Sequence, residues 1–141
     1  MNDKPKKKLF ISCPMRGRSE EAIRHDMDRM HRVAEAVFDH ELEVIPTYVK
    51  HDPPETGNKA IYCLGESIKK MSEADYFIGV VGLTQNRGCE VEAHVAHAYE
   101  VRCTFVNADE FMPEVLAADR TAFAQEMEAK GNIMAPMPVC C

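Results

Sequence analysis

The stretch YFIGVVGLTQNRGCEVEAHVAHAYE, from Tyr76 to Glu100, contains the pattern on which the fold depends. Its apolar start, Tyr76 to Val81, predicts a buried strand, and GLTQ predicts a loop. The remainder predicts a helix that opens with Gly88 and places Glu90 and Glu92 in its first turns. Acidic residues near a helix N-terminus complement the helix dipole, so position alone does not make either glutamate functional.

Short apolar runs and amphipathic segments alternate along the rest of the chain. Strands are predicted at KLFIS, LEVIPTYV, DYFIGVV and RCTFVN, the second of them stopped or bent at Pro46. Helices are predicted at about 19–40, 59–73, 86–100 and 113–130. This alternation predicts a parallel sheet with helices on both faces. We therefore expect an α/β fold, a three-layer Rossmann-like (flavodoxin-like) sandwich with a parallel sheet of four to five strands. One domain is expected over 1–141, with a core at about 8–107 and a C-terminal helix and tail at 108–141.

Helical periodicity also predicts which side chains face the core. Ser19 is the expected N-cap of the first helix. In the second helix the apolar stripe contains Ile61, Leu64, Ile68 and Met71, and in the third it contains Val91, Val95 and Ala98.

Ligands of parallel α/β sheets bind outside the carboxyl ends of the strands. That edge is expected to receive the loop Cys13 to Arg18, the loop Lys50 to Lys59 and the start of the third helix. Gly88, Glu90 and Glu92 fall on this edge by prediction, whereas Asp75 opens its strand and falls on the opposite edge.

Composition excludes several classes of protein. The formal net charge of −6 argues against a general nucleic-acid-binding surface. Lys4, Lys6, Lys7 and Lys8 form one basic cluster, for which a solvated leader is favoured over an arm that binds an anion or a partner. No apolar run is long enough to span a bilayer, and no signal peptide is recognisable, so the expectation is a cytoplasmic protein without a membrane partner.

Metal binding is not favoured by the sequence. None of the six cysteines forms a CxxC pair; Cys63 and Cys103 are expected to be buried thiols, and Cys140 and Cys141 end the chain. Glu90, His94 and His97 share one helical face and are ligands that zinc accepts, but the pattern is not HExxH. Exposed polar residues on an amphipathic helix are the favoured interpretation, and no metal or cofactor is expected.

The loop SCPMRGRS after the first strand is a candidate anion site. Its backbone amides, with Arg16 and Arg18, are suited to a phosphate, and an ordinary turn with exposed arginines is the alternative. Neither a GxGxxG fingerprint nor a GxxxxGK[ST] loop is present.

Three motifs, KLFISCPMRG, SIKKMSEADYFIGVV and RGCEVEAHVAHAY, occur in this order over about Lys8 to Val106. Together they resemble the nucleoside 2-deoxyribosyltransferase superfamily, and most of all its small uncharacterised bacterial and phage members. The resemblance implies that Glu92, the glutamate of a Gly-x-x-x-Glu pattern that begins at Gly88, is the nucleophile. It also implies a nucleoside or nucleotide as the small-molecule partner, no cofactor, and a homo-oligomer. The helix dipole is expected to keep Glu92 ionised.

The same resemblance implies a set of substrate-binding residues: Ser12, Cys13, Pro14, Met15, Arg16, Gly17, Gly88 and Glu90. Arg16 fits a 5′-phosphate better than a bare hydroxyl.

The sequence departs from the family pattern at two positions. Where the family carries an aspartate in the second helix, this chain has Ser67, and His94 stands where a glycine is usual. A serine hydroxyl hydrogen-bonds but is not an acid near neutral pH, so Glu66, Asp52 or Glu90 are candidates to replace the missing carboxylate.

Three functions follow as hypotheses. The first is an N-glycosidase or deoxyribosyltransferase that acts on a 2′-deoxynucleoside or its 5′-monophosphate, with Glu92 as nucleophile and Ser67 or Glu66 assisting. The second is a non-catalytic sensor or accessory domain that binds a nucleotide, which Ser67 favours. The third, a flavodoxin-like flavin protein, is weaker because the loop lacks a hydroxyl-rich phosphate cradle and the chain has no tryptophan.

Overall fold

A computed structural model of the chain describes residues 6–47, 55 and 57–130. It contains four strands and five helices in these residues: β1 (Lys7–Ile11), α1 (Glu20–Phe38), β2 (Leu42–Val44), α2 (Lys59–Met71), β3 (Tyr76–Val81), α3 (Arg87–Ala98), β4 (Arg102–Asn107), α4 (Ala108–Phe111) and α5 (Pro113–Ala129). None of these helices is both long and apolar enough to cross a membrane.

The four strands form one sheet in the order β2-β1-β3-β4, and every neighbouring pair is parallel. This arrangement confirms the predicted α/β architecture with a four-stranded parallel sheet and is consistent with a Rossmann-like fold. The central strands are apolar on both sides, as parallel sheets covered by helices require. Leu9, Phe10 and Ile11 of β1 are all buried.

Alternate residues of the central strands enter two separate cores. On one side, Leu9 and Ile11 pack with Ile23 and Met30 of α1 and with Leu116 of α5. On the other side, a second cluster joins the sheet to α2 and α3, and it contains Phe10, Phe77, Met71 and Ala96. Helices therefore cover both faces of the sheet, as the strand–helix alternation predicts.

Local signals at the ends of elements are confirmed at two positions. The Ser19 hydroxyl accepts a hydrogen bond from the Ala22 amide at 3.1 Å, so Ser19 is the N-cap of α1. Asp75 accepts one from the Lys8 amide at 2.9 Å, at the amino ends of β3 and β1. It lies on the edge opposite the predicted ligand site.

One prediction about these elements is confirmed and one was wrong in detail. β2 ends at Val44, in agreement with the predicted stop or bend at Pro46; Tyr48 and Val49 lie outside the described residues. A proline has no amide to donate to a sheet, which explains the early end. In α3 the fully buried residue is Ala96, and Ala98 is exposed.

The buried face of α3 was mispredicted because its large apolar side chains were assigned to the core in place of Ala93 and Ala96. Val91 is 40% exposed, whereas the small residues Ala93 and Ala96 pack against the second cluster. Small side chains let the helix approach the sheet closely. The N-terminal part of the predicted α2 stripe is likewise exposed, since Ile61 has 66% of its surface accessible.

Gly79 in β3 is required by the aromatic packing around it. A Cβ atom at this position would lie 2.9 Å from Cε1 of Phe77 and 3.0 Å from Cε1 of Phe105. We predict that Gly79→Ala lowers the free energy of unfolding by about 1–3 kcal/mol, because a well-packed core resists an added methyl group. Urea denaturation measures the change.

Gly65→Ala is the matched control, because Gly65 is an exposed residue inside α2 and its added Cβ would meet open space. This variant should gain about 0.5–1 kcal/mol from the better helix propensity of alanine. An unchanged stability in Gly79→Ala would contradict the packing described here.

Candidate active site

The crevice between β1 and β3 is the point where the order of the sheet reverses. β1 connects through α1 to β2 on one side, and β3 lies on the other. Ser12, directly after β1, donates its amide to the Ile78 carbonyl at 2.8 Å and its hydroxyl to Oε1 of Glu92 at 2.8 Å. This buried serine thus ties together the ends of β1 and β3 and the first turns of α3.

A cavity of about 320 Å³ opens at this crevice. That volume lies at the lower end of the range for small-molecule sites, roughly 300–1,000 Å³. Its walls come from the ends of β1 and β2, from α2, and from the loop and first turns of α3: Ile11, Cys13, Met15, Arg16, Thr47, Ala60, Cys63, Leu64, Ser67, Gln85, Asn86, Arg87, Gly88, Cys89 and Glu92. The cavity lies at the carboxyl edge of the sheet, where parallel α/β folds bind their ligands.

Glu92 carries the only carboxyl group among the described residues of the cavity wall. Burial raises its pKa to about 7, against the opposing effect of hydrogen bonds from the Ser12 and Ser67 hydroxyls. The sequence prediction of a permanently ionised glutamate is corrected here, because desolvation outweighs the helix dipole and both hydrogen bonds. At neutral pH, Glu92 is therefore divided between carboxylate and carboxylic acid, which suits a group that reacts or transfers a proton.

The loop after β1 presents Arg16 at its tip. The Arg18 amide donates to the Met15 carbonyl at 3.2 Å, and Gly17 between them has a φ of 71°, which favours glycine. Arg16 is exposed, lines the cavity, and has no hydrogen-bond or ion-pair partner in the part of the chain that the structure describes. It is free to bind an anion.

Arg18, the second arginine considered for a phosphate, has a structural role instead. It forms an ion pair with Asp26 of α1 and donates to the Pro14 carbonyl at 2.8 Å. Asp26 is only 3% exposed and also accepts from Arg29 at 3.0 Å. Through these contacts, Arg18 holds the loop after β1 against α1.

The loop before α3 is held from the other side of the molecule. Asp119 of α5, which is 8% exposed, accepts three hydrogen bonds: from the Thr84 amide and hydroxyl at 2.8 Å each, and from the Gln85 amide at 2.6 Å. Glu126, two turns later in α5, interacts with the Gln85 side chain and with the charge of Arg87. The last helix, α5, thus fixes the loop that leads into Glu92.

The structure brings together most of the residues that the sequence predicted for the site. Glu92, Ser67, Cys13, Met15, Arg16 and Gly88 line the cavity, and Ser12 contacts Glu92. A Cβ on Gly88 would meet no protein atom within 4 Å, so this glycine leaves open space at the cavity wall.

The remaining predicted residues do not line the cavity. Pro14 is buried beside it, Gly17 is exposed in the turn, and Glu90 is exposed on α3. Glu66 is paired with Lys69 at 3.5 Å. Asp52 and most of the loop 50–59 lie outside the described residues, as do Lys4, Cys140, Cys141 and the tail 131–141.

Several cavity residues were not predicted as site residues, among them Thr47, Cys63, Arg87 and Cys89. Arg87 and Cys89 flank Gly88 in the motif RGCEVEAHVAHAY, so their positions in that motif could have indicated them. Burial raises the pKa of the Cys13 thiol to about 11 and that of Cys89 to about 12, so both thiols remain uncharged at neutral pH and act as apolar wall. The predicted thiol burial of Cys63 and Cys103 is only partial.

The exposed face of α3 is as predicted. Glu90, His94 and His97 are all exposed. No group of three or more histidine, cysteine or acidic side chains in the described part of the chain is arranged to hold a metal ion.

Comparison of the chain with protein-family models, with curated proteins and with solved structures found no significant match.

Titration of Glu92 tests the electrostatics of the site. The carboxyl carbon of Glu92 in ¹³C-glutamate-labelled protein should titrate with a midpoint near pH 7, and Glu92→Gln assigns the signal. Ser12→Ala should raise this pKa further, because it removes a donor that stabilises the carboxylate. A midpoint near 4.5 in the unmodified protein would contradict the burial of Glu92.

The same shift has a consequence for stability. As the pH rises from about 4.5 towards 7, the unfolded chain ionises this group while the folded chain does not. The unmodified protein should therefore lose stability relative to Glu92→Gln across that window and hold the difference above it.

Removal of Asp119 should release the loop before α3. In Asp119→Ala the amides of Thr84 and Gln85 lose their acceptors, so we predict that their hydrogen-exchange protection falls roughly tenfold or more. Glu128→Ala is the control, because Glu128 is exposed on the same helix. Equal protection in the two variants would show that Asp119 does not hold the loop.

Proposed function

We propose that this protein is an N-glycosidase of the nucleoside 2-deoxyribosyltransferase type, which acts on a 2′-deoxynucleoside or its 5′-monophosphate. The observation that carries the proposal is the environment of Glu92. This carboxyl lies four residues after Gly88 on the wall of a cavity at the β1–β3 crevice, and the Ser12 and Ser67 hydroxyls donate to it. Both the spacing and the location agree with the family resemblance.

The proposed reaction uses the ionised form of Glu92. A carboxylate oxygen attacks C1′ of the deoxyribosyl group, the bond from C1′ to the base nitrogen breaks, and the electron pair leaves with the base, which takes up a proton from solvent. Water or a second base then attacks C1′ and loses a proton to solvent, the bond from C1′ to the Glu92 oxygen breaks, and Glu92 returns to the carboxylate form. Because the nucleophile must be ionised and its pKa is about 7, the rate should rise with pH and level off above neutrality.

A 5′-monophosphate is the favoured form of the substrate. Arg16 and Arg87 are both exposed at the cavity wall, Arg16 in the loop after β1 and Arg87 as the first residue of α3. Arginine binds phosphate through charge-assisted and often bidentate hydrogen bonds. Arg16 has no partner in the described residues, which supports a role in holding an anion. The charge of Arg87 also acts on Glu126 of α5, where it helps to lower the pKa of that carboxyl.

A non-catalytic nucleotide sensor is the second candidate. Among the described residues that line the cavity, Glu92 is the only carboxylate, and Ser67 occupies the position of the second one in the family pattern. Glycoside hydrolysis ordinarily uses two carboxyl groups. A cavity with one is better suited to binding than to protonation of a departing base.

Assembly into a homo-oligomer is part of the proposal. Apolar side chains are exposed in the first half of α2 and of α3, at Ile61, Tyr62 and Val91, next to helix segments that border the cavity. A second subunit would cover such surface.

A base-release assay distinguishes the candidates. The purified protein is incubated with 2′-deoxynucleosides and their 5′-monophosphates, with and without a second free base, and the free bases are separated and quantified. We predict release that is faster for the 5′-monophosphates and that falls at least a hundredfold in Glu92→Gln, because the amide cannot act as the nucleophile.

Glu90→Gln is the matched control, since Glu90 lies two residues away and is exposed. It should retain the unmodified rate. Exchange with the second base identifies a transferase, and release to water alone identifies a hydrolase. Nucleotide-dependent thermal stabilisation without release from any substrate would refute the enzyme and support the sensor.

A further inference from the structure

Thr47 carries an unpaired buried hydroxyl. It follows β2 at the carboxyl edge of the sheet and is only 6% exposed. In the part of the chain that the structure describes, its Oγ1 is the only buried side-chain nitrogen or oxygen without a hydrogen-bond partner. A buried hydroxyl without a partner loses the hydrogen bonds that it makes with water, so a native structure that retains one calls for an explanation.

The surroundings of Thr47 point to a ligand. Thr47 lines the same cavity as Glu92, and so do Ala60, Cys63 and Leu64 of α2. This part of the wall has no charged side chain among its described residues, in contrast to the part near Arg16 and Arg87.

Thr47 and Glu92 follow strands that lie on opposite sides of β1. β2 pairs with β1, whereas Glu92 follows β3 on the other side of β1. Neighbouring strands lie about 4.8 Å apart, so the ends of β2 and β3, with β1 between them, are roughly 10 Å apart. The described lining of the cavity thus combines one carboxyl group, two arginines, and uncharged residues of α2 together with the Thr47 hydroxyl.

We propose that the apolar wall formed by Thr47, Ala60, Cys63 and Leu64 binds the nucleobase of the substrate, and that the Thr47 hydroxyl hydrogen-bonds a polar substituent on the edge of its ring. This inference rests on the proposed function. A nucleobase has apolar faces and a polar edge, which match an apolar wall with one unpaired hydroxyl. A hydroxyl both donates and accepts, so it pairs with a ring carbonyl or with an exocyclic amino group. Thr47 is then a residue that determines base specificity.

Calorimetric binding in a Glu92→Gln background, in which turnover is blocked, provides the test. Affinities of the four common 2′-deoxynucleoside 5′-monophosphates, and of 2-deoxyribose 5-phosphate, are measured with and without Thr47→Val. Valine has nearly the same shape but no hydroxyl, so the best-bound nucleotide should lose roughly 5–15-fold in affinity. The affinity for 2-deoxyribose 5-phosphate, which has no base, should be unchanged.

Two further variants separate a lost contact from a damaged fold. Thr47→Val should unfold at the same or a higher temperature than its parent, because it removes an unpaired buried hydroxyl. Thr47→Ser keeps the hydroxyl and should restore most of the nucleotide affinity.

The possible results are distinct. If nucleotides bind and Thr47→Val binds them equally well, the inference is overturned while the proposed function stands. If Thr47→Val weakens 2-deoxyribose 5-phosphate as much as the nucleotides, the assignment of this wall to the base is wrong. If neither nucleotides nor the sugar phosphate bind any form of the protein, the proposed function fails and the inference fails with it.

Discussion

The hydrogen bond from the Ser12 hydroxyl to Glu92 joins the two halves of the ligand crevice. Ser12 ends one central strand and its amide is bound to the carbonyl of Ile78 in the next, so its hydroxyl has a fixed position. Glu92 approaches from a helix eighty residues later in the chain. The contact decides where the carboxyl lies, and its buried position gives the group a pKa near neutrality. Without this contact, the Glu92 carboxyl would lose the hydrogen bond that ties it to the end of β1.

Two buried aspartates hold the loops on either side of that contact. Asp26 binds Arg18 and so fixes the loop that presents Arg16 to the cavity. Asp119 binds the amides of Thr84 and Gln85 and so fixes the loop that leads into α3. Both aspartates belong to helices on the same face of the sheet, α1 and α5, which pack in one core. The site is therefore built on rigid elements, as orientation of a reacting group requires.

Local sequence patterns predicted the architecture because they report burial along one element at a time. The alternation of apolar runs and helical stripes predicted the parallel sheet, and the rule for its carboxyl edge placed the loop after β1 near Gly88 and Glu92. The same patterns failed where the outcome depends on what packs against an element. Periodicity selected Val91 as a core residue, although the small side chain of Ala96 is the one that meets the sheet.

Long-range pairs left no trace in the sequence. Nothing near Asp119 indicates that it binds a loop 35 residues earlier, and nothing near Arg18 distinguishes it from the free Arg16. The ionisation of Glu92 was mispredicted for a related reason, since the helix dipole is visible in the sequence and the degree of burial is not. The unpaired hydroxyl of Thr47 is also a property of the folded chain, because it depends on which partners the fold fails to supply.

The most direct measurement of the central claim is mass spectrometry of the protein quenched in acid during reaction with a 2′-deoxynucleoside 5′-monophosphate. Glu92 as nucleophile predicts a peptide that gains the mass of a deoxyribosyl phosphate group at Glu92. The gain should be absent from Glu92→Gln and present in Glu90→Gln. A protein that remains unmodified while base is released, or that is modified at another residue, would contradict the assignment of Glu92.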